Sequence, residues 1–196
     1  MKSKQTVFRM VGIALLMALV VVLQTVGSMI PSVGGFSISL VLIPIVVGSA
    51  VYGPLAGGIL GATFGVVVYI NCVTGADVGG AMVFQADPLL CLLVVLGKGI
   101  LCGVAAGWTY RLLKRFNTYV AMLVAAIVCP LVNTGVFVAC MCLFFNDILS
   151  AWASGGDLVG YILSGLLLVN MVPEIIINVA FSPAGARIAR AVGNRS

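Results

Sequence analysis

The chain has 196 residues, of which 62% are hydrophobic and 8% are charged, and its formal net charge is +5. Soluble domains carry about 25% charged residues, so this composition excludes a molecule whose surface is mainly in water. The apolar residues fall into repeated runs of the length, roughly 20 residues, that crosses about 30 Å of hydrocarbon. The composition therefore predicts one all-α integral membrane domain over residues 1–196.

Six apolar runs predict six transmembrane helices packed in one bundle. The first run is longer than the apolar core of a signal peptide, about 7–15 residues, which favours a retained helix over a cleaved leader. Polar segments at 72–87 and 146–157 are expected to be loops. The predicted spans cover approximately residues 7–26, 38–52, 54–71, 88–111, 119–145 and 158–186.

Charged residues sort to opposite sides of this six-span arrangement. With the N-terminus inside, nine of the ten basic residues face the cytoplasm and four of the five acidic residues face outside. Cytoplasmic loops of membrane proteins are enriched in Lys and Arg, so both the N- and C-termini are predicted to be cytoplasmic. The sorted residues are Lys2, Lys4, Arg9, Arg111, Lys114, Arg115, Arg187, Arg190 and Arg195 inside, and Asp77, Asp87, Asp147 and Asp157 outside.

These basic residues act as topology anchors near anionic lipid, so the positive net charge predicts no nucleic-acid partner. The chain contains no histidine, and its six cysteines form no CxxC pair. The cysteines are interpreted as small apolar packing residues. Gly97-Lys98-Gly99 lacks the Ser or Thr that follows the lysine of a phosphate-binding loop. We therefore predict no catalytic residue, metal or cofactor, and we do not expect an enzyme.

Small residues recur along the third predicted span. Gly53, Gly57, Gly61 and Gly65 are spaced by four, so they lie on one side of a helix. Glycine has no side chain, and a neighbouring helix can therefore approach such a ridge closely. The pattern predicts a tight helix–helix contact within the bundle.

Two charges lie inside predicted spans and are not explained by anchoring, namely Lys98 and Glu174. A charge within a membrane usually faces a cavity or a partner, because its exposure to lipid is costly. Lys98 precedes Arg111 by 13 positions, and Glu174 precedes Arg187 by 13 positions. At 1.5 Å per residue both side chains lie about 20 Å from the inner boundary.

Polar residues on the fifth and sixth spans fall at a similar depth. Asn133, Thr134 and Asn170 join Lys98 and Glu174 in this layer. The layer predicts a solute pocket in the outer half, in which Lys98 binds an anionic group as a point charge. The competing interpretation is a structural Lys98–Glu174 ion pair that ties two helices together, and both interpretations can hold.

Several segments resemble the substrate-binding S components of energy-coupling factor (ECF) transporters, which are prokaryotic vitamin-uptake systems. The likeness extends over nearly the whole chain, in the same order as in that family. It includes the AxxxA pattern formed by Ala14 and Ala18. The other similar segments are residues 43–48, 52–65, 133–135 and 173–178.

The resemblance implies a multi-pass protein of the prokaryotic plasma membrane that captures a micronutrient from outside. Such a subunit docks on a transmembrane coupling protein, which carries two ATPase subunits, and topples in the membrane to release its solute inside. Ala14 and Ala18 would form the docking surface for the coupling protein. The missing phosphate loop agrees with ATPases that are separate chains.

Pantothenate is the first expectation for the solute, because Lys98 stands where pantothenate-type members carry an arginine. Lysine keeps the charge and loses the bidentate fork, so folate, riboflavin and a modified-base precursor stay open. Candidates for ring stacking are Phe64, Tyr69, Phe84, Trp152 and Tyr161. Alternative functions are a self-sufficient secondary carrier or channel and a membrane scaffold without a solute. The halves 1–98 and 99–196 show no inverted repeat that would favour a carrier.

Overall fold

The computed structural model describes residues 2–29, 40–153 and 157–193, and every regular element in these ranges is helical. This confirms the all-α class. The elements in chain order are α1 (Lys2–Met29), α2 (Leu42–Tyr52), α3 (Pro54–Thr74), α4 (Val78–Ala86), α5 (Pro88–Leu113), α6 (Thr118–Phe144), α7 (Asn146–Trp152), α8 (Leu158–Tyr161), a π-helical segment (Ile162–Met171) and α9 (Val172–Gly193).

Five stretches of the described residues are long and apolar enough to cross a membrane. They are Gln5–Ser28, Pro54–Thr74, Pro88–Leu113, Thr118–Phe144 and Val159–Val192. The predicted second span differs, because α2 has only 11 residues and extends over about 17 Å. Residues 38 and 39 of that predicted span, and the predicted inner anchor Arg195, lie outside the described residues. The count of six spans and the cytoplasmic placement of both termini stay predictions.

Two segments that were expected to be loops contain short helices instead. Asp77 is the N-cap of α4, where its Oδ1 accepts a hydrogen bond from Gly80 N at 3.1 Å, and α7 occupies part of the second segment. Both expectations were wrong because they relied on polarity. In the first segment the polar aspartate is a favoured N-cap.

The long helices begin at residues that satisfy their first N–H groups. Asp87 Oδ1 accepts hydrogen bonds from Leu89 N at 2.9 Å and Leu90 N at 3.0 Å at the start of α5. Asn117 Oδ1 accepts one from Tyr119 N at 2.8 Å at the start of α6. Such caps matter at a membrane boundary, because an unpaired N–H in hydrocarbon is costly.

The predicted glycine ridge forms the contact between α3 and α5. A Cβ atom added to Gly57 or Gly61 would overlap the carbonyl oxygen of Gly103 or Gly99, respectively. Gly65 lies in the same way against the backbone of Val95. Gly53 is an exception, because it forms the turn before α3 with φ +96° and meets nothing within 4 Å. Close approach of two backbones is therefore the basis of the bundle.

The last predicted span is one continuous helical stretch, which becomes π-helical after its first four residues and α-helical again from Val172. Pro173 follows the π-helical segment in the first turn of α9 and lacks an N–H donor. Helix α9 packs on α6 and α2, whereas α1 lies at the edge with most of its residues exposed. An apolar and exposed helix requires cover from lipid or from another protein.

Contacts among the described residues gather basic side chains at one end of the bundle. Arg9 Nη2 donates to the carbonyl oxygen of Tyr52 at 2.7 Å. The guanidinium carbon of Arg190 lies 4.3 Å from the ring centroid of Tyr119. Asp77 and Asp87 cap helices at the other end, one α3 length away. This arrangement agrees with the charge sorting, and the side of the membrane on which each end lies stays a prediction.

Two glycines of α5 provide a matched test of the α3–α5 contact. Gly99→Ala should lower the thermal unfolding temperature, because its Cβ would overlap Gly61 O, and overpacking typically costs about 1–3 kcal/mol. Gly97→Ala should leave the unfolding temperature unchanged or raise it, since a Cβ there meets nothing within 4 Å. Thermal unfolding of both variants in detergent measures the difference. Equal effects would contradict the proposed contact.

Candidate functional site

One cavity among the described residues combines polar groups from several helices. It has a volume of about 50 Å³ and lies between α1, α3, α4, α5, α6 and the π-helical segment. Four of the five predicted binding residues line it, namely Lys98, Asn133, Thr134 and Asn170. Helical depth alone placed these residues in one layer, and the fold turns them toward the same space.

Lys98 lies between two aromatic rings in the cavity wall. Its Nζ is 4.9 Å from the ring centroid of Phe137 and 5.7 Å from that of Phe64. The face of an aromatic ring attracts a cation, so the two rings hold the ammonium group without neutralising its charge. The cavity therefore has a fixed positive group that is able to bind an anion.

Three polar oxygens around Lys98 are buried and accept no hydrogen bond from the described residues. They are Asn133 Oδ1, Thr134 Oγ1 and Asn170 Oδ1. Buried polar groups are nearly always hydrogen-bonded, so each oxygen indicates a place where water or a solute donates. The arrangement suits a solute that carries both an anionic group and hydrogen-bond donors.

Glu174 is not among the described residues that line the cavity. Its side chain is completely buried, and Asn178 Nδ2 donates to its backbone carbonyl oxygen at 2.8 Å. A solute in the cavity as it stands would meet Lys98 rather than Glu174. The binding role and the ion pair that were considered for Glu174 stay predictions.

Other cavity residues were missed by sequence reasoning. Gln24 of α1 is buried and lines the cavity, as do Asp77 and Phe137. Gln24 gave a usable signal, since it is a polar residue inside an apolar run, as Lys98 is. Phe137 lies one turn beyond Asn133 on α6 and therefore shares its face.

The aromatic candidates for ring stacking separate into two groups. Phe64 lines the cavity, whereas Tyr69 and Phe84 pack on each other edge to face at 5.8 Å between centroids. Trp152 Nε1 donates to Met82 Sδ at 3.2 Å. Of the five candidates, only Phe64 belongs to the cavity wall among the described residues.

The predicted docking residues Ala14 and Ala18 are both exposed on α1. They are one helical turn apart and so form a shallow patch on an outer face of the bundle. This face lies away from the cavity, to which α1 contributes Gln24.

A family model for the substrate-specific component of ECF transporters matches residues 8–184. The chain belongs to this family. The match includes all the cavity-lining residues and most of α1 and α9. A comparison with curated proteins found no match.

Family membership makes this S component a transmembrane transport protein. It confirms the resemblance at the level of the family and does not identify a vitamin. Membership also supports the role of a substrate-capture subunit, and the cavity is the place in the described residues where the polar groups for that role converge.

Thr134 tests whether the unpartnered oxygens serve a solute or the fold. Thr134→Val should leave the unfolding temperature of the empty S component unchanged or raised, because a buried unsatisfied polar group costs about 1–3 kcal/mol. Ser49→Ala is the control, since Ser49 Oγ donates to Val46 O at 2.8 Å. It should lower the unfolding temperature. A comparable loss for Thr134→Val in thermal unfolding would show a structural role.

Proposed function

We propose that this S component captures a small anionic micronutrient from outside the cell and delivers it through an ATP-driven coupling module. Pantothenate is the first candidate. The observation that carries the proposal is the Lys98 ammonium group, held between two rings beside three unpartnered oxygens. Pantothenate has a carboxylate for Lys98 and hydroxyl and amide groups that can donate to those oxygens.

The volume of the cavity does not separate the candidate solutes. At about 50 Å³ it is well below the roughly 150 Å³ of an engineered cavity that binds benzene. Pantothenate, folate and riboflavin would each require the cavity to widen. Phe64 and Phe137 are also engaged with Lys98, which leaves their faces less available for stacking on a flat solute.

Partner chains supply the energy in this proposal. The family is defined as the substrate-specific component, and Gly97-Lys98-Gly99 lacks the features of a phosphate loop. The exposed patch of Ala14 and Ala18 on α1 is the proposed contact with a transmembrane coupling protein that carries two ATPase subunits. Small residues allow close helix contact in a membrane. The site of action is the plasma membrane of a prokaryotic cell.

Lys98→Met tests the anion-binding role. The substitution keeps an unbranched side chain, shorter by one atom, and removes its charge, so the affinity for pantothenate should fall by about 10- to 100-fold, the range of a charge-assisted hydrogen bond, about 1.5–3 kcal/mol. Isothermal titration calorimetry on the purified protein measures this change. Lys114→Met is the control, because Lys114 is exposed beyond the end of α5.

Unchanged pantothenate affinity in Lys98→Met would assign Lys98 a structural role. If the unaltered protein does not bind pantothenate, mass spectrometry of a co-purifying solute decides the chemical class. A neutral or cationic solute there would overturn the anion proposal.

Ala14→Trp tests the docking patch. The bulky ring should block uptake that depends on the coupling module while leaving solute affinity unchanged. Leu19→Trp is the control, since Leu19 is exposed on the same helix and is rotated by about 100° from Ala18. Uptake into vesicles that contain the full complex provides the measurement. Solute uptake by the S component alone would instead indicate a self-sufficient carrier.

A further inference from the structure

Two cysteines face the cavity from neighbouring helices. Cys72 of α3 and Cys91 of α5 are 2% and 1% exposed, respectively, and both line the cavity that contains Lys98. Both side chains reach this cavity from helices whose backbones are in contact. Both are free cysteines, so the cavity wall contains a reduced dithiol.

The glycine seam explains why these two cysteines lie near each other. Gly57, Gly61 and Gly65 face Gly103, Gly99 and Val95 in an antiparallel register. Cys72 follows Gly65 by about two turns of α3, and Cys91 precedes Val95 by about one turn of α5, so both lie beyond the same end of the seam on the faces that meet. A disulfide requires Cα atoms about 4.4–6.8 Å apart, and facing positions on helices in backbone contact are where such a spacing occurs.

A second thiol pair in the bundle has a different environment. Cys102 and Cys129 are both completely buried, and Cys102 Sγ donates to Gly99 O at 3.1 Å. Neither lines the cavity. This second pair of thiols therefore differs from the first in its access from the cavity.

We propose that Cys72 and Cys91 form an oxidation site in the cavity wall, where a water-sized peroxide converts the two thiols into a disulfide. The cavity volume, about 50 Å³, is sufficient for an oxidant of this size. The site is distinct from the oxygens that surround Lys98, and the proposal does not depend on which solute binds.

The reaction balances with hydrogen peroxide as the oxidant. The sulfur of one cysteine, as thiolate, attacks one peroxide oxygen, the O–O bond breaks, and a sulfenic acid forms while hydroxide leaves and takes up the released proton as water. The second sulfur attacks the sulfenic sulfur, the S–S bond forms, and the S–O bond breaks with loss of a second water. Both sulfurs are oxidised and both peroxide oxygens are reduced. The product joins α3 to α5 covalently beside the cavity.

The experiment uses the full chain in detergent with Cys142→Ser, which removes an exposed thiol. Hydrogen peroxide is added and then quenched, the chain is unfolded in denaturant, its free thiols are blocked with N-ethylmaleimide, and peptide mass spectrometry follows each pair. The Cys72–Cys91 disulfide should form at least about tenfold faster than a Cys102–Cys129 disulfide, because oxidation follows access. Cys91→Ser should stop the reaction at a sulfenic acid on Cys72, which dimedone traps when the chain is unfolded.

Cys129→Ser is the matched control and should leave formation of the Cys72–Cys91 disulfide unchanged. Equal rates for the two pairs would overturn the proposal, because access from the cavity would then make no difference. Persistence of free Cys72 and Cys91 under peroxide that oxidises Cys142 in the unaltered chain would also overturn it. Both outcomes are measurable without a solute and without any variant at the paired cysteines.

Discussion

The contact of two helix backbones between α3 and α5 is the constraint on which the rest of the structure depends. Gly61 and Gly99 lie where any side chain would overlap the opposite carbonyl oxygen. In a membrane the hydrophobic effect does not drive helices together, and association depends on close van der Waals packing. The same close packing places Lys98, beside the seam, and Cys91, one turn beyond it, in one wall of the cavity.

The cavity is polar because several helices each contribute a polar group to it. The side-chain oxygens of Asn133, Thr134 and Asn170 have no hydrogen-bond partner among the described residues. This lowers the stability of the protein without solute and leaves the oxygens available to a solute that donates hydrogen bonds. Functional sites commonly carry this conflict between stability and binding. Lys98 is stabilised by aromatic faces, so its charge stays available within an apolar bundle.

Much of this arrangement was predictable from particular residues. The four-residue spacing of Gly57, Gly61 and Gly65 predicted the tight contact, since glycine is the residue that permits it. Lys98 and Asn133 were predictable site residues, because polar groups within apolar runs require a reason. The prediction that Gly53 belongs to the ridge was wrong, since glycine also allows a turn with positive φ. Spacing alone does not distinguish these two uses.

The sequence by itself determined the helical membrane class, the packing face of α3 and the polar residues that lie inside apolar runs, because composition and spacing act along one helix. Only the tertiary structure decided which members of the layer share a cavity. It brought Gln24 and Phe137 to the wall and left Glu174 out of it. The direction of a side chain depends on the rotation of each helix against its neighbours, and contacts between residues distant in sequence set that rotation.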